Sequence, residues 1–397
     1  MTYAAPFSGL RVIDLTQGLA GPEAGMLLAQ YGADVIKVEP LNGDWSRNQG
    51  ERFGDFTDKA IANNRGKRSI ALDLKTDRGK DILLRLVKDA DVFLEAFRPG
   101  VISRLGFGYD AMAALNPGLI YLSISGFGQV GPLSERPATD SVLQAFSGLM
   151  QVNKGSVDAL PHRVGTWPID MISGLYAFQA ISTALYARMT ERQGRYIDCS
   201  LMQSAAAVQA IRIIEFFIAN GEGLASQSLV GTFKTQDGWI NLSVMNDDAW
   251  RKFCGALDRP DLITDPRFAA RDDRYANDVQ AKAIVQDMLE TQPFDHWSVR
   301  LTGAGILHER VNDYLDFLQH PHTAAANAVQ WTDHRDIGRI PVPNIPGVEP
   351  AADGDARAQA PRLGEHSFEI LKEVGFQPEK INSLVNENVI FVSKKDT

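Results

Sequence analysis

Within the first 130 residues, short β-branched runs alternate with amphipathic stretches, and this alternation limits what the chain can fold into more than any other feature. Leu10–Leu15, Val35–Val38, Arg68–Leu72, Val92–Leu94 and Leu119–Ile124 read as strands, with helical patterns between them. Strands joined by helical crossovers pair in parallel, because only a long connection can return the chain to run in the same direction. The pattern therefore predicts an α/β fold with a doubly wound sheet. A further strand is expected at Tyr196–Cys199, after the turn-like Gln193-Gly194.

At 397 residues the chain exceeds the size at which one core usually keeps growing, so two domains are expected. Residues 1–220 form the first. The texture changes at Asn220-Gly221-Glu222-Gly223, and 221–332 reads as a smaller α+β domain that opens with a hairpin-like Gly231–Val244. Residues 333–397 contain an extended return linker, rich in Pro, Gly, Asp and Ala to about Pro361. A helix over Leu363–Val374 then packs back on the first domain, and from Gln377 a solvated end runs to Lys394-Lys395-Asp396-Thr397. Pro168–Met189 is apolar on nearly every face, as in a helix buried inside a large domain or between subunits. Leu201–Ala219 reads as one long Ala-rich helix.

A net charge of −9 gives no general attraction for nucleic acid or anionic lipid. No 18 consecutive apolar residues occur, and the N-terminus lacks a basic region followed by an apolar run, so neither a membrane span nor secretion is expected. Cys199 and Cys254 make no disulfide framework, which fits a reducing cytoplasm. No H-E-x-x-H or paired C-x-x-C is present, so no metal is expected. ATP-driven chemistry lacks a G-x-x-x-x-G-K-[ST] loop.

The first strand runs into Thr16-Gln17-Gly18-Leu19-Ala20-Gly21-Pro22 and a helix, and the second ends at Glu39-Pro40, which imitates a dinucleotide-binding unit. Its glycines stand at 18, 21 and 25 rather than in G-x-G-x-x-G spacing, and Pro22 removes an amide, so NAD is disfavoured. The turn serves either packing or another ligand. Asn63-Asn64-Arg65-Gly66-Lys67-Arg68, with Arg98 and Arg104, supplies cations that could hold a nucleotide's phosphates, although a basic run is most often a solvated face. Asp170, two residues after the helix-initiating Pro168, reads locally as a cap. Asp140, opening Ser141-Val142-Leu143-Gln144, reads as a cap or as a catalytic acid.

The chain also resembles the class III CoA-transferases, a family that includes the 2-methylacyl-CoA racemases. The resemblance runs from Phe7 to about Phe376 through Gly9-Leu10-Arg11-Val12-Ile13-Asp14, Gly32-Ala33-Asp34-Val35-Ile36-Lys37-Val38-Glu39, Asn64-Arg65-Gly66-Lys67-Arg68-Ser69, Phe97-Arg98-Pro99-Gly100, Ser125-Gly126-Phe127-Gly128-Gln129 and Leu363-Gly364-Glu365-His366. It implies a Rossmann-like large domain built from both chain ends, a smaller domain between them, and an interlocked homodimer.

The resemblance further implies that coenzyme A, as acyl-CoA, is a substrate rather than a tightly bound cofactor, and that a small carboxylic acid is the acceptor. CoA contacts carry over to Leu19, Ala20, Leu72, Asp73, Leu74, Lys75, Ala96, Phe97, Arg98 and Arg104, with Glu39 and Pro40 near the adenosine end. The nucleophile matches Asp170, and an acidic neighbour matches Asp140. A helix N-terminus is expected to keep Asp170 ionised. Pro137 and Thr139 depart from relatives that carry a lysine and a tyrosine there, and Arg136 is a substitute cation.

Oxyanion donors are expected from Ser125-Gly126-Phe127-Gly128 or from the small domain. His162-Arg163 and His308 are further candidates for acid binding or specificity. The expected reaction moves CoA from an acyl-CoA, a dicarboxylate such as succinyl-CoA being preferred, through a mixed anhydride and an aspartyl-CoA thioester. The alternatives are a racemase, whose histidine before the acid at 140 is here Thr139, and a noncatalytic acyl-CoA-binding module.

Overall fold

The structure, a computed structural model, describes residues 5–154, 159–221, 229–352 and 354–393. Residues 1–4, the 222–223 part of the turn-like segment and the terminal Lys394–Thr397 lie outside the described residues. Two compact units are present, Met1–Ala210 with Asn327–Thr397, and Ile211–Ala326.

The larger unit is built on β1 (Arg11–Asp14), β2 (Asp34–Glu39), β3 (Arg68–Leu72), β4 (Val92–Glu95), β5 (Ile120–Ser125) and β6 (Arg195–Ser200), all parallel in the order 3-2-1-4-5-6. These are the six expected strands. The period-2 side-chain alternation of each strand feeds two cores. Val12, Val92, Leu94, Ile120 and Leu122 point to one face, with Ala24, Leu28, Ala177 and Ile181. Ile13, Ile36, Phe93 and Tyr121 point to the other, with Ile82, Leu86, Ile370 and Leu384. The first face is covered by α1 (Ala20–Gln30), α2 (Asp140–Phe146) and α3 (Pro168–Glu191). Helices α1 and α3 lie close because residue 174 has no side chain: a Cβ there would sit 2.6 Å from Glu23 Cγ and 2.9 Å from the Ala20 carbonyl.

Residues beyond Gln377, expected as a solvated end, instead form the helix Pro378–Asn386 and a strand, Ile390–Phe391, that pairs antiparallel with β3. The reason is apolar burial, since Ile381, Leu384 and Ile390 complete the second core. The stretch expected as an extended linker opens with an antiparallel hairpin, Val329–His334 and Gly338–Pro343, before turning irregular. Leu201–Ala219 is two helices, Leu201–Val208 and Ala210–Ile218, broken at Gln209. The Gln209 side chain donates to Ser147 and to the Ala205 carbonyl. Helix α3 buries one face only, with Tyr186 and Met189 outward. The smaller unit holds an antiparallel sheet of Val230–Thr235, Gly238–Ser243 and Leu307–Arg310 over a core that includes Trp250, Phe253 and Leu301.

Of the cations read as candidates for phosphate, those of the 65–68 run are consumed by the fold. Lys67 Nζ is fully buried and donates to Asp14 Oδ2 at 2.8 Å, to the Pro22 carbonyl at 2.8 Å and to Asn64 Oδ1 at 3.0 Å. Arg68 pairs with Asp34 and Glu373, and Arg65 is buried near Glu23. Lys37 Nζ, also buried, lies 3.0 Å from Asp44 and donates to the Thr16 carbonyl at 2.8 Å. These two buried pairs hold the loop after β1 from both sides. Gly25 accommodates one of them, because a Cβ there would meet Asp14 Oδ2 at 2.5 Å.

Removing one partner of a buried pair leaves a charge that neither water nor a counterion compensates. Lys67→Met is therefore expected to cost about 3–5 kcal/mol in urea unfolding, and a loss below ~1 kcal/mol would show that Asp14 is adequately compensated by Lys37 alone.

Candidate active site

In an open parallel sheet, ligands sit beyond the carboxyl ends of the strands where the strand order reverses, here between β1 and β4. A cavity of about 270 Å³ occupies that position. Gln17, Leu19, Ala20 and Gly21 from the loop after β1 line it, with Ala96, Phe97, Arg98 and Pro99 after β4, and Ser125 and Gly126 at the end of β5. Arg136, Pro137, Ala138 and Thr139 close one side, and Asp170 projects in from the start of α3.

Asp170 occupies the first turn of α3, whose first residue is Pro168 and whose N-cap, Trp167, makes no side-chain capping bond. The orphan N–H groups of that turn are met from a different helix. Asp140 Oδ2 accepts from the backbone N–H of Ile169 at 2.7 Å and of Asp170 at 3.1 Å. Asp140 therefore does not cap its own helix, which Thr139 precedes as N-cap, but caps α3 across a loop. No hydrogen bond reaches the Asp170 carboxylate among the described residues. Burial, and then the negative charge on Asp140, push its pKa up to about 7. The N–H groups of the helix N-terminus, expected to favour the ionised form of Asp170, are taken up by Asp140 instead.

The chemistry of this cavity can be set beside known proteins. CoA-transferase family III matches residues 7–367. The chain belongs to that family. It is 37% identical over 378 residues to an acetyl-CoA:oxalate CoA-transferase of Acetobacter aceti, covering 93% of this chain and 95% of that one. It is 34% identical over 400 residues to a human succinyl-CoA:glutarate CoA-transferase, covering 98% and 91%. A CAIB/BAIF family protein from Brucella suis superposes with a TM-score of 0.82 at 31% identity, over 94% of this chain and all of the other. As a class III CoA-transferase the chain is an enzyme that uses acyl-CoA as substrate, on a mixed α/β fold shared with that structure.

Of the positions expected to contact CoA, Leu19, Ala20, Ala96, Phe97 and Arg98 share the cavity with Asp170. Leu72, Asp73, Leu74, Lys75, Pro40 and Arg104 do not line it. Lys75 and Arg104 are exposed, and the Leu72 side chain belongs to the core. Glu39 is committed elsewhere: both of its oxygens accept from the Arg47 guanidinium, at 2.8 and 2.9 Å, so no ribose hydroxyl displaces that contact cheaply. His162 and Arg163 are exposed and off the cavity wall. In the smaller unit, both His308 ring nitrogens are engaged, with the Ile306 carbonyl at 2.8 Å and Ser298 Oγ at 3.0 Å.

Sequence reasoning passed over Gln17 and Trp45 as site residues, although both line the cavity. Trp45 comes from a short turn that Asp44 anchors by accepting from the N–H groups of Ser46 and Gly18. The available signal was an aspartate and a tryptophan in a loop after β2, without the pairing that gives them a place.

A proton held more tightly by the folded chain than by the unfolded one stabilises the fold below the carboxyl's ordinary pKa, and that gain is lost as pH rises through about 7. Asp170→Asn should therefore match the wild type in stability near pH 4. Near pH 8 it should exceed it, by on the order of 2 kcal/mol once partial exposure is allowed for. Equal stability at both values would show that Asp170 titrates normally.

Proposed function

We propose that this enzyme moves CoA from an acyl-CoA donor to a small dicarboxylic acid, with Asp170 as the covalent nucleophile. The observation that carries this reading is the single cavity that joins Asp170, the Leu19–Ala20 and Ala96–Arg98 loops, and Arg136.

Ionised Asp170 attacks the donor's thioester carbonyl, the C–S bond breaks, and CoA leaves as a thiolate, giving a mixed anhydride. The thiolate then attacks the aspartyl carbonyl of the anhydride, which forms an aspartyl-CoA thioester and releases the first acid as its carboxylate. The acceptor carboxylate reverses both steps in its own name. No proton is consumed, and no ATP is required, because one thioester is exchanged for another. A carboxylate that receives no hydrogen bonds is a better nucleophile than a solvated one, and its raised pKa sets the fraction that is ionised. Transfer should therefore increase with pH through about 7.

Arg136 supports the choice of a dicarboxylate. It lines the cavity, its guanidinium lies 5.8 Å from the Phe127 ring, and no carboxylate pairs with it among the described residues, so a ligand's distal carboxylate would find a partner there. The named relatives act on oxalate and glutarate. The racemase reading lacks its second base, since Thr139 stands beside Asp140 and no histidine lines the cavity.

The test is to trap the Asp170 peptide with hydroxylamine during turnover and to screen donors and acceptors by mass. A modified Asp170 and CoA exchange support the reading. An unmodified peptide, or uptake of α-deuterium by a 2-methylacyl-CoA without any acceptor, would sink it. Arg136→Ala is expected to raise KM for a dicarboxylate acceptor by about 10–100-fold while leaving a monocarboxylate within ~3-fold.

A homodimer is part of the same reading. Ile211, Phe217 and Ile218 are 82%, 83% and 74% exposed on Ala210–Ile218, a helix without one buried residue, and the outward face of α3 is also apolar. Surfaces of this kind mark association. Light scattering should give twice the chain mass, and a monomer at micromolar concentration would exclude it.

A further inference from the structure

Asp140 can cap α3 only while its carboxylate is turned the right way, and nothing in its own backbone enforces that. A free carboxylate offers either oxygen at several side-chain angles. The side chain that removes this freedom is Gln144, one turn further along α2 and completely buried. Its Nε2 donates to Asp140 Oδ1 at 2.6 Å, which leaves Oδ2 to face the N–H groups of Ile169 and Asp170. Its Oε1 accepts from the backbone N–H of Val164 at 2.9 Å, in the segment that leads into Trp167 and Pro168. The amide cannot flip, since a donor must face the carboxylate and an acceptor must face the N–H.

We propose that Gln144 is a positioning residue for the nucleophile, fixing the Asp140 carboxylate and the approach to α3 together so that Asp170 enters the cavity at a set angle. This rests on Asp170 being the nucleophile. It touches neither substrate nor the reacting atoms, and it acts through two backbone elements and one carboxylate. Its contribution is orientation: an amide of this length spans the gap between Asp140 and Val164, and the carboxylic acid of the same length cannot reproduce it when ionised. The acid still accepts from Val164 but no longer donates to Asp140, and it places a second negative charge against the first.

Gln144→Leu therefore separates orientation from packing, because it keeps comparable volume and removes both bonds, and Gln144→Glu adds the effect of the second charge at a pH where the acid is ionised. Single-turnover formation of the Asp170 adduct from acyl-CoA should slow by about 30-fold or more in Gln144→Glu and in Gln144→Leu, with KM for acyl-CoA within ~3-fold, since ground-state binding is untouched. The Gln144→Glu protein should retain the wild-type circular dichroism spectrum and unfold cooperatively. If Gln144 serves packing alone, Gln144→Leu, which keeps a side chain of similar size and neither bond, forms the adduct at the wild-type rate, and the proposal is overturned. The same holds if the rate falls only with a matching rise in KM. Wild-type protein distinguishes the two readings. If it forms no adduct at Asp170, the functional reading falls and carries this proposal with it. If it forms the adduct and the variants do so equally fast, only the role of Gln144 falls.

Discussion

Two buried ion pairs at the carboxyl end of β1 are what the rest of the site stands on. Asp14 with Lys67, and Lys37 with Asp44, are removed from water and satisfied by backbone carbonyls, amides and the hydroxyl of Thr16. Charges in such a setting tolerate little displacement, because every partner lost is a full desolvation penalty left uncompensated. The loop they clamp supplies Gln17, Leu19 and Ala20 to one wall of the cavity. Trp45 reaches the same wall because Asp44 also anchors its turn. Rigid walls on this side leave the chemistry on the other side to be set by the start of α3.

There, two carboxylates have been given unequal surroundings. Asp140 collects the N–H groups of Ile169 and Asp170 and the amide of Gln144, whereas the Asp170 carboxylate collects none among the described residues and faces the cavity. Equal carboxyl groups thereby divide into one whose partners lie within the fold and one that faces the cavity. The division depends on hydrogen bonds that cross 20 to 30 positions of chain, and on Trp167 being unable to cap its own helix.

This distinction explains which parts of the molecule were legible in the sequence. Strand alternation is local, so Val12 against Ile13 and Leu94 against Phe93 declare both faces of the sheet without knowledge of their neighbours. The loops that share the cavity with Asp170, Leu19–Ala20 and Ala96–Arg98, stood within ordered motifs. The fate of Lys67, Arg68 and Glu39 was not, because a charged side chain reads the same whether it awaits a phosphate or already holds a buried partner. Asp140, which reads as a cap or as a catalytic acid, could not be assigned from the sequence for a related reason: the helix it caps lies beyond an intervening loop. The segment after Gln377 was missed differently, since Ile381, Leu384 and Ile390 carried an apolar pattern that its polar flanks concealed.

The antiparallel strand Ile390–Phe391 bears on how the chain is made. During synthesis the unit Ile211–Ala326 is complete on the ribosome before residues 367–391 exist, while the larger unit still lacks the helices and the strand that cover its second core. Until they emerge, the edge of β3 presents unpaired amides and carbonyls beside exposed Ile70 and Leu72, the arrangement that most readily recruits a foreign strand. A chaperone that shields nascent sheet edges would have its longest task here, on a strand whose Ser69–Leu72 are buried in the finished enzyme.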